Sequence, residues 1–129
     1  MNVFYLPTAQ LGIISFPEDE SKHIVKVLRM KEGDCFCVTD GNGSLFDAEL
    51  VDAHPKRAAA NLTNQRNGYD IRDFKLSIAI APTKLNERTE WFLEKATEIG
   101  IDEVKLFASY HSERRVANVE RFKKIVVAA

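Results

Sequence analysis

The pattern of apolar residues changes character near residues 66–74, and this limits the chain more than any other feature. Before that point apolar runs are short, β-patterned and punctuated by turn residues. After it the pattern reads strand, helix, strand, helix. A β-rich half followed by an alternating half makes the chain α+β overall, with units over 1–70 and 71–129. The charge shifts at the same place, from 7 basic and 10 acidic residues in the first unit to 11 and 9 in the second. Arg66-Asn67-Gly68-Tyr69-Asp70 reads as the linker, since Asn-Gly is a strong turn signal. A length of 129 residues suits one ordinary domain or two such small units.

In the first unit, strands are expected over 3–6 and 11–16. Pro17-Glu18-Asp19-Glu20 then opens a helix, with proline in the first turn and acids at the positive end of the helix dipole. It should run to about Met30 and bury Ile24, Val27 and Leu28, until Gly33-Asp34 ends it. A strand over 35–40, a Gly41-Asn42-Gly43-Ser44 hairpin turn, and strands over 45–51 and 57–63 complete a small β-barrel or sandwich. Such a unit lies near the lower size limit for an independent core.

In the second unit the apolar run over 75–81 suits a buried parallel strand. Asn86 can cap a helix whose inner stripe is Phe92, Ala96 and Ile99, and Gly100 is a natural stop. A strand over 104–108 and a helix from Val119 follow. Two strands and two helices are too few to cover both faces of a parallel sheet. The apolar Ile125-Val126-Val127-Ala128-Ala129 also lacks a capping residue, so the pattern reads as a fragment of a longer protein.

Several function classes drop out. No apolar run approaches the roughly 20 residues of a membrane helix, and residues 1–7 lack the basic start and apolar stretch of a signal peptide. A cytoplasmic protein with no membrane partner is expected. Cys35 and Cys37, two apart on one strand face, have α-carbons about 7 Å apart, at the limit for a disulfide, so reduced thiols are expected. With only His23, His54 and His111 beside them, no metal site is expected. A net charge of −1 excludes a general polycation but leaves room for a local basic patch. GxGxxG, P-loop, GxSxG and HExxH motifs are all absent, so motifs alone assign no enzyme class.

Four clusters carry chemistry. Lys22, Lys26 and Arg29 recur at i, i+4, i+7 with His23 beside them, which makes either a phosphate-binding stripe or an ordinary solvated helix face. Glu90, Glu94 and Glu98 form an acidic ridge that Lys95, Arg114 or Arg115 can neutralise as an ion-pair network. A buried member of that ridge with a raised pKa would be a candidate base. Ser112-Glu113-Arg114-Arg115 follows the second strand at the end where α/β folds place ligands, and its arginines can grip phosphate or pair with the ridge. Trp91 beside Phe92 either stacks a base or packs in a core or interface.

The residues then show a resemblance. FYLP at 4–7, His23-Ile24-Val25-Lys26-Val27-Leu28-Arg29 with Gly33-Asp34, and Asp40-Gly41-Asn42-Gly43 resemble the RNA-binding domain of the ribosomal RNA small subunit methyltransferase E family. Ala81-Pro82-Thr83-Lys84, the EWFLEKATEIG segment at 90–100 and Ser112-Glu113-Arg114 are similar to the opening of that family's catalytic domain. The resemblance covers essentially the whole chain in order; Arg115 departs from it, standing where the family often carries serine.

The resemblance implies a PUA-like β-barrel followed by the start of an α/β SPOUT domain with a trefoil knot. It implies transfer of a methyl group from S-adenosylmethionine to N3 of a uridine in small-subunit (16S) ribosomal RNA, by a homodimer acting on that RNA or on the 30S subunit. The knot and the methyl-donor site would lie beyond residue 129, so this chain would keep RNA binding without catalysis. N3 carries a proton on the Watson–Crick edge, so the base must be unpaired or turned outward and the proton must leave as the nitrogen attacks. On this reading Lys22, His23, Lys26, Arg29 and Arg114 contact RNA, while Lys95, Glu98 and Arg115 organise the fold or an interface. No residue stands out as the catalytic base. The rival reading is a non-enzymatic RNA-binding or ribosome-assembly module that self-associates through Val126 and Val127.

Overall fold

The computed structural model describes residues 1–68, 71–111 and 117–129. Its contacts separate Met1–Ile71 from Arg72–Ala129. Tyr69 and Asp70 of the expected linker lie outside the described residues.

The first unit is one five-stranded sheet: β1 (Val3–Tyr5), β2 (Gly12–Ser15), β3 (Cys35–Thr39), β4 (Leu45–Asp52) and β5 (Ala59–Arg66). The order is β1-β3-β4-β5-β2, with β1 parallel to β3 and the other pairs antiparallel. The sheet curls around Phe4, Phe16 and Phe36, whose rings meet at 5.2–6.1 Å. Phe4 on one edge strand thus reaches Phe16, just beyond the other edge strand. The sheet curls toward a barrel without closing one, because hydrogen bonding leaves β1 and β2 as edges. Ile14, Ile24, Val38, Phe46, Leu50 and Leu62 fill the same core.

Local backbone chemistry accounts for two departures from expectation. The last strand runs to Arg66 rather than Thr63, because a bulge places Asn64 and Gln65 opposite Phe46. Asn64 takes φ 49°, a left-handed conformation that asparagine tolerates better than most residues, and Arg66 stays paired with Leu45. The strand also starts at Ala59 instead of 57, since Arg57 N–H donates to the His54 carbonyl at 3.2 Å and belongs to the hairpin loop.

The helix departs further. An α-helical turn α1 (Glu18–Lys22) passes into a π-helical turn over His23–Val27, where Leu28 N–H reaches back to the His23 carbonyl at 2.9 Å. A π turn carries one more residue than an α turn, so the i, i+3, i+4 stripe shifts out of register. Ser21, Ile24 and Met30 are the buried residues here. Val27, expected inside, is 68% exposed, and Leu28 is exposed as well.

The second unit is a βαβ arrangement. Strands β6 (Ser77–Ile80) and β7 (Glu103–Leu106) pair in parallel across helix α2 (Asn86–Ile99), and α3 (Val119–Ala128) packs on α2. The Asp102 carboxylate ties the strand starts together, accepting from Leu76 N–H at 2.7 Å and from Arg72 at 3.1 Å. Gly100 ends α2 at φ 104°, its N–H reaching the Ala96 and Thr97 carbonyls, as the glycine signal predicts. The inner stripe of α2 is Thr89, Leu93 and Ala96, rather than Phe92, Ala96 and Ile99; Ile99 is 82% exposed. Asn86 is the first helical residue, not the cap. Thr83 and Thr89 organise this start instead, through a hydroxyl–hydroxyl contact of 3.1 Å and a Thr83 hydroxyl bond to the Leu85 carbonyl at 2.7 Å.

Candidate nucleic-acid interface

Lys22, His23 and Lys26 are presented by the α-to-π transition, and Arg29 follows just beyond it. Pro17 leads into α1, whose first turn carries Glu18, Asp19 and Glu20. Lys22 Nζ lies 2.9 Å from Glu18, a pairing that raises the lysine pKa. His23 Nδ1 sits 3.9 Å from Glu20, with its ring edge-on to Phe4. Two of the four contacts expected in this unit therefore already have acidic neighbours.

Lys26 and Arg29 differ. Both are exposed, and neither makes an ion pair or side-chain hydrogen bond to a described residue. Arg29 takes φ 55°, so it leaves the helix and does not continue an i, i+4, i+7 stripe. Next to them Val27 and Leu28 are exposed too, giving a surface of two free cations interleaved with two apolar side chains. Such a surface can hold phosphates with the cations while the aliphatic groups cover sugar or base faces.

The opposite end of the sheet is polar and self-satisfied. Burial opposes ionisation of Asp40, but backbone N–H bonds from Asn42 at 2.8 Å and Ser44 at 3.1 Å prevail and lower its pKa. Asp47 accepts from Asn64 and from Arg66, each at 2.7 Å, and these bonds hold its carboxyl below the usual range. Cys37 is buried and Cys35 exposed, both as free thiols.

In the second unit the acidic ridge is met by cations. Lys95 reaches Glu94 at 3.2 Å and Glu98 at 3.3 Å, which raises its pKa. Glu90 is gripped by Arg121 of α3, a residue the sequence reading missed because it lies 31 positions away with no periodic relation to the ridge. The Arg121 hydrogen bond pulls the Glu90 pKa down, the opposite of what a general base needs near neutral pH. Arg114 and Arg115 lie outside the described residues. Trp91 is 64% exposed and Phe92 half-buried.

The loops after β6 and β7 stand at the end of a parallel sheet where ligands bind. Among the described residues there, the Thr83 and Thr89 hydroxyls are used on each other and on the backbone. Those two hydroxyls are therefore not free to hold the carboxylate or ribose of a methyl donor. No helix among the described residues is long and apolar enough to cross a membrane.

Comparison with known proteins bears on both units. Residues 16–63 match the model of the RNA methyltransferase PUA domain, and residues 71–129 match that of the RNA methyltransferase domain. A probable rRNA methyltransferase from Porphyromonas gingivalis is 42% identical with a TM-score of 0.86, over 99% of this chain and 53% of that one. A predicted RNA methyltransferase from Thermotoga maritima is 32% identical with a TM-score of 0.82, over 98% and 57%. Ribosomal RNA small subunit methyltransferase E from Neisseria gonorrhoeae, solved bound to S-adenosyl methionine, shares the fold at 23% identity and a TM-score of 0.84, over 99% and 54%. The chain thus spans a little over half the length of these structures.

Proposed function

This chain belongs to the RNA methyltransferase family, and we propose that it is the RNA-recognition part, with the opening of the catalytic domain, of an S-adenosylmethionine-dependent enzyme that methylates uridine N3 in small-subunit ribosomal RNA. The observation that carries this reading is the order of the two matched models, an RNA-domain model on 16–63 and the methyltransferase model on 71–129. Residues 1–70 act as the RNA-binding domain and 71–129 as the first part of a SPOUT domain. The methyl donor binds in a part of the longer protein that follows residue 129, so these 129 residues bind RNA without transferring a methyl group.

The RNA contacts fall on Lys26 and Arg29, the two cations of the basic cluster left free by the fold, with Lys22 and His23 flanking them. Arg114 contacts substrate, and Lys95, Glu98 and Arg115 organise the fold or an interface. The enzyme works in the cytoplasm, as a homodimer, during ribosomal RNA processing.

The test is fluorescence anisotropy of a labelled small-subunit RNA hairpin titrated with the chain at several salt concentrations. Affinity should fall as salt rises, and Lys26→Glu with Arg29→Glu should remove most of it. No binding at low salt, or full affinity in the double variant, overturns the RNA-site reading. In a longer protein of the relatives' length, mass spectrometry of the RNA should locate the added methyl on uridine N3.

A second reading has its own observation. Val126 and Val127 on α3 are 38% and 45% exposed, an apolar surface suited to a self-associating, non-enzymatic RNA-binding module. Light scattering tests the α3 surface: a dimer that persists on dilution and that Val126→Asp and Val127→Asp dissociate supports self-association through α3, and a dimer untouched by them, or a monomer, overturns it.

A further inference from the structure

The strand order fixes which loops share an end of the first unit. Because β1 is parallel to β3 and the remaining pairs are antiparallel, the starts of β1, β3 and β5 lie with the ends of β2 and β4. Two connections emerge there: residues 16–34, which carry the α and π turns, and the β4–β5 hairpin loop over 53–58. Hydrogen bonds lock them to one frame. Ala58 N–H donates to the Ser21 hydroxyl at 2.9 Å and Phe16 N–H to the Ala58 carbonyl at 2.8 Å. Gly33 N–H donates to the Leu50 carbonyl at 2.8 Å, and Leu50 N–H to the Asp34 carbonyl at 2.9 Å.

The hairpin loop carries Lys56 and Arg57, both exposed and without an ion pair or side-chain bond to a described residue. Its shape is held by Lys56 N–H donating to His54 Nδ1 at 3.1 Å. That bond uses Nδ1 as an acceptor and so leaves the proton of a neutral His54 on Nε2, a further donor at the loop. The opposite end of the sheet has Arg66, which Asp47 already holds. Glu18, Asp19, Glu32, Asp34 and Asp52 are also exposed in or beside the two connections, so the cations there stand as discrete charges rather than as one broad positive field.

We propose that the loop over 53–58 is a second limb of the RNA-backbone site, with Lys56 and Arg57 gripping phosphates of the same strand whose other phosphates meet Lys26 and Arg29. This rests on the RNA-binding reading above. Arg57 suits the role because its guanidinium can take a phosphate in a bidentate fork, while Lys56 acts as a point charge. Sequence spacing could not associate the two pairs, since the antiparallel β4–β5 return is what brings the loop back to α1.

The experiment titrates a fluorescein-labelled small-subunit RNA hairpin with four forms of the full chain across a salt series. They are the unsubstituted chain, Lys26→Glu/Arg29→Glu, Lys56→Glu/Arg57→Glu, and Lys123→Glu/Lys124→Glu on α3 as a control of equal charge change. The loop pair should weaken binding roughly tenfold or more and flatten the slope of log affinity against log salt by roughly one to two, one per lost phosphate contact. The milder Lys56→Gln/Arg57→Gln pair, checked for an unchanged circular dichroism spectrum, should show the same flattening. If the helix pair weakens binding and the loop pair behaves as the control, the second limb is wrong and the RNA reading stands. If the unsubstituted chain does not bind, both fail.

Discussion

The Ser21 hydroxyl stands between two backbone groups that would otherwise pair directly. It accepts from Ala58 N–H at 2.9 Å and donates to the Phe16 carbonyl at 3.2 Å, completely buried. Phe16 N–H still donates to the Ala58 carbonyl at 2.8 Å, so the β2–β5 ladder ends on a rung with a hydroxyl inserted in one of its two bonds. That insertion fastens α1, and the cations beyond it, to the sheet.

Ser21→Ala should therefore cost more than an ordinary surface change, because it leaves a buried N–H and a buried carbonyl without their partner. The expected loss is about 1–3 kcal/mol. Denaturant unfolding of the first unit should show it, together with faster hydrogen exchange at the Ala58 amide. An unchanged unfolding midpoint with a protected Ala58 amide would sink the idea.

Gly41 carries a steric prediction. It takes φ 75°, and a Cβ there would lie 2.6 Å from Cε2 of the Tyr5 ring. Gly41→Ala combines left-handed backbone strain of about 1–2 kcal/mol with a displaced ring. Adding Tyr5→Ala should relieve the second part only, so the two substitutions should couple in a double-mutant cycle. Strict additivity would mean the ring moves aside freely.

The Glu90–Arg121 pair gives a pH dependence. Folding lowers the Glu90 pKa below its usual 4.5, with the Arg121 hydrogen bond as the main cause. A depressed folded pKa means the contribution is fully present above the unfolded value and is lost as pH falls through the folded one. The second unit should thus lose stability on acidification below 4.5, and Glu90→Gln should flatten that part of the profile. Arg121→Gln should do the same. A profile insensitive to both substitutions would exclude the pair as a stabilising contact.

Lys22 and Lys26 are four residues apart but should differ in RNA titrations. Lys22 is engaged by Glu18, whereas Lys26 has no such partner among the described residues. Lys26→Ala should reduce the salt slope by roughly one phosphate contact, and Lys22→Ala by clearly less. Equal slopes for the two variants would show that the Glu18 pair opens on binding.

Every strand of the first unit overlaps an apolar β-run that can be read residue by residue, and so do the βαβ order of the second unit and the glycine stop at Gly100. These depend on interactions between near neighbours: side-chain alternation, turn conformations, and the dipole end that favours Glu18, Asp19 and Glu20. The basic cluster was legible as residue types for the same reason. What spacing could not reveal was which of its members remain free.

That was decided by contacts between distant residues. The π turn at His23–Val27 accompanies the burial of Ser21, Ile24 and Met30 against the sheet, and it turns Val27 and Leu28 outward against the helical stripe. Ser21 with Ala58 spans 37 positions and Arg121 with Glu90 spans 31. The sequence by itself determined the local elements and the supply of charge. The tertiary structure alone decided which charges are spent on folding and which face solvent, because burial and ion pairing depend on neighbours that only the folded chain brings together.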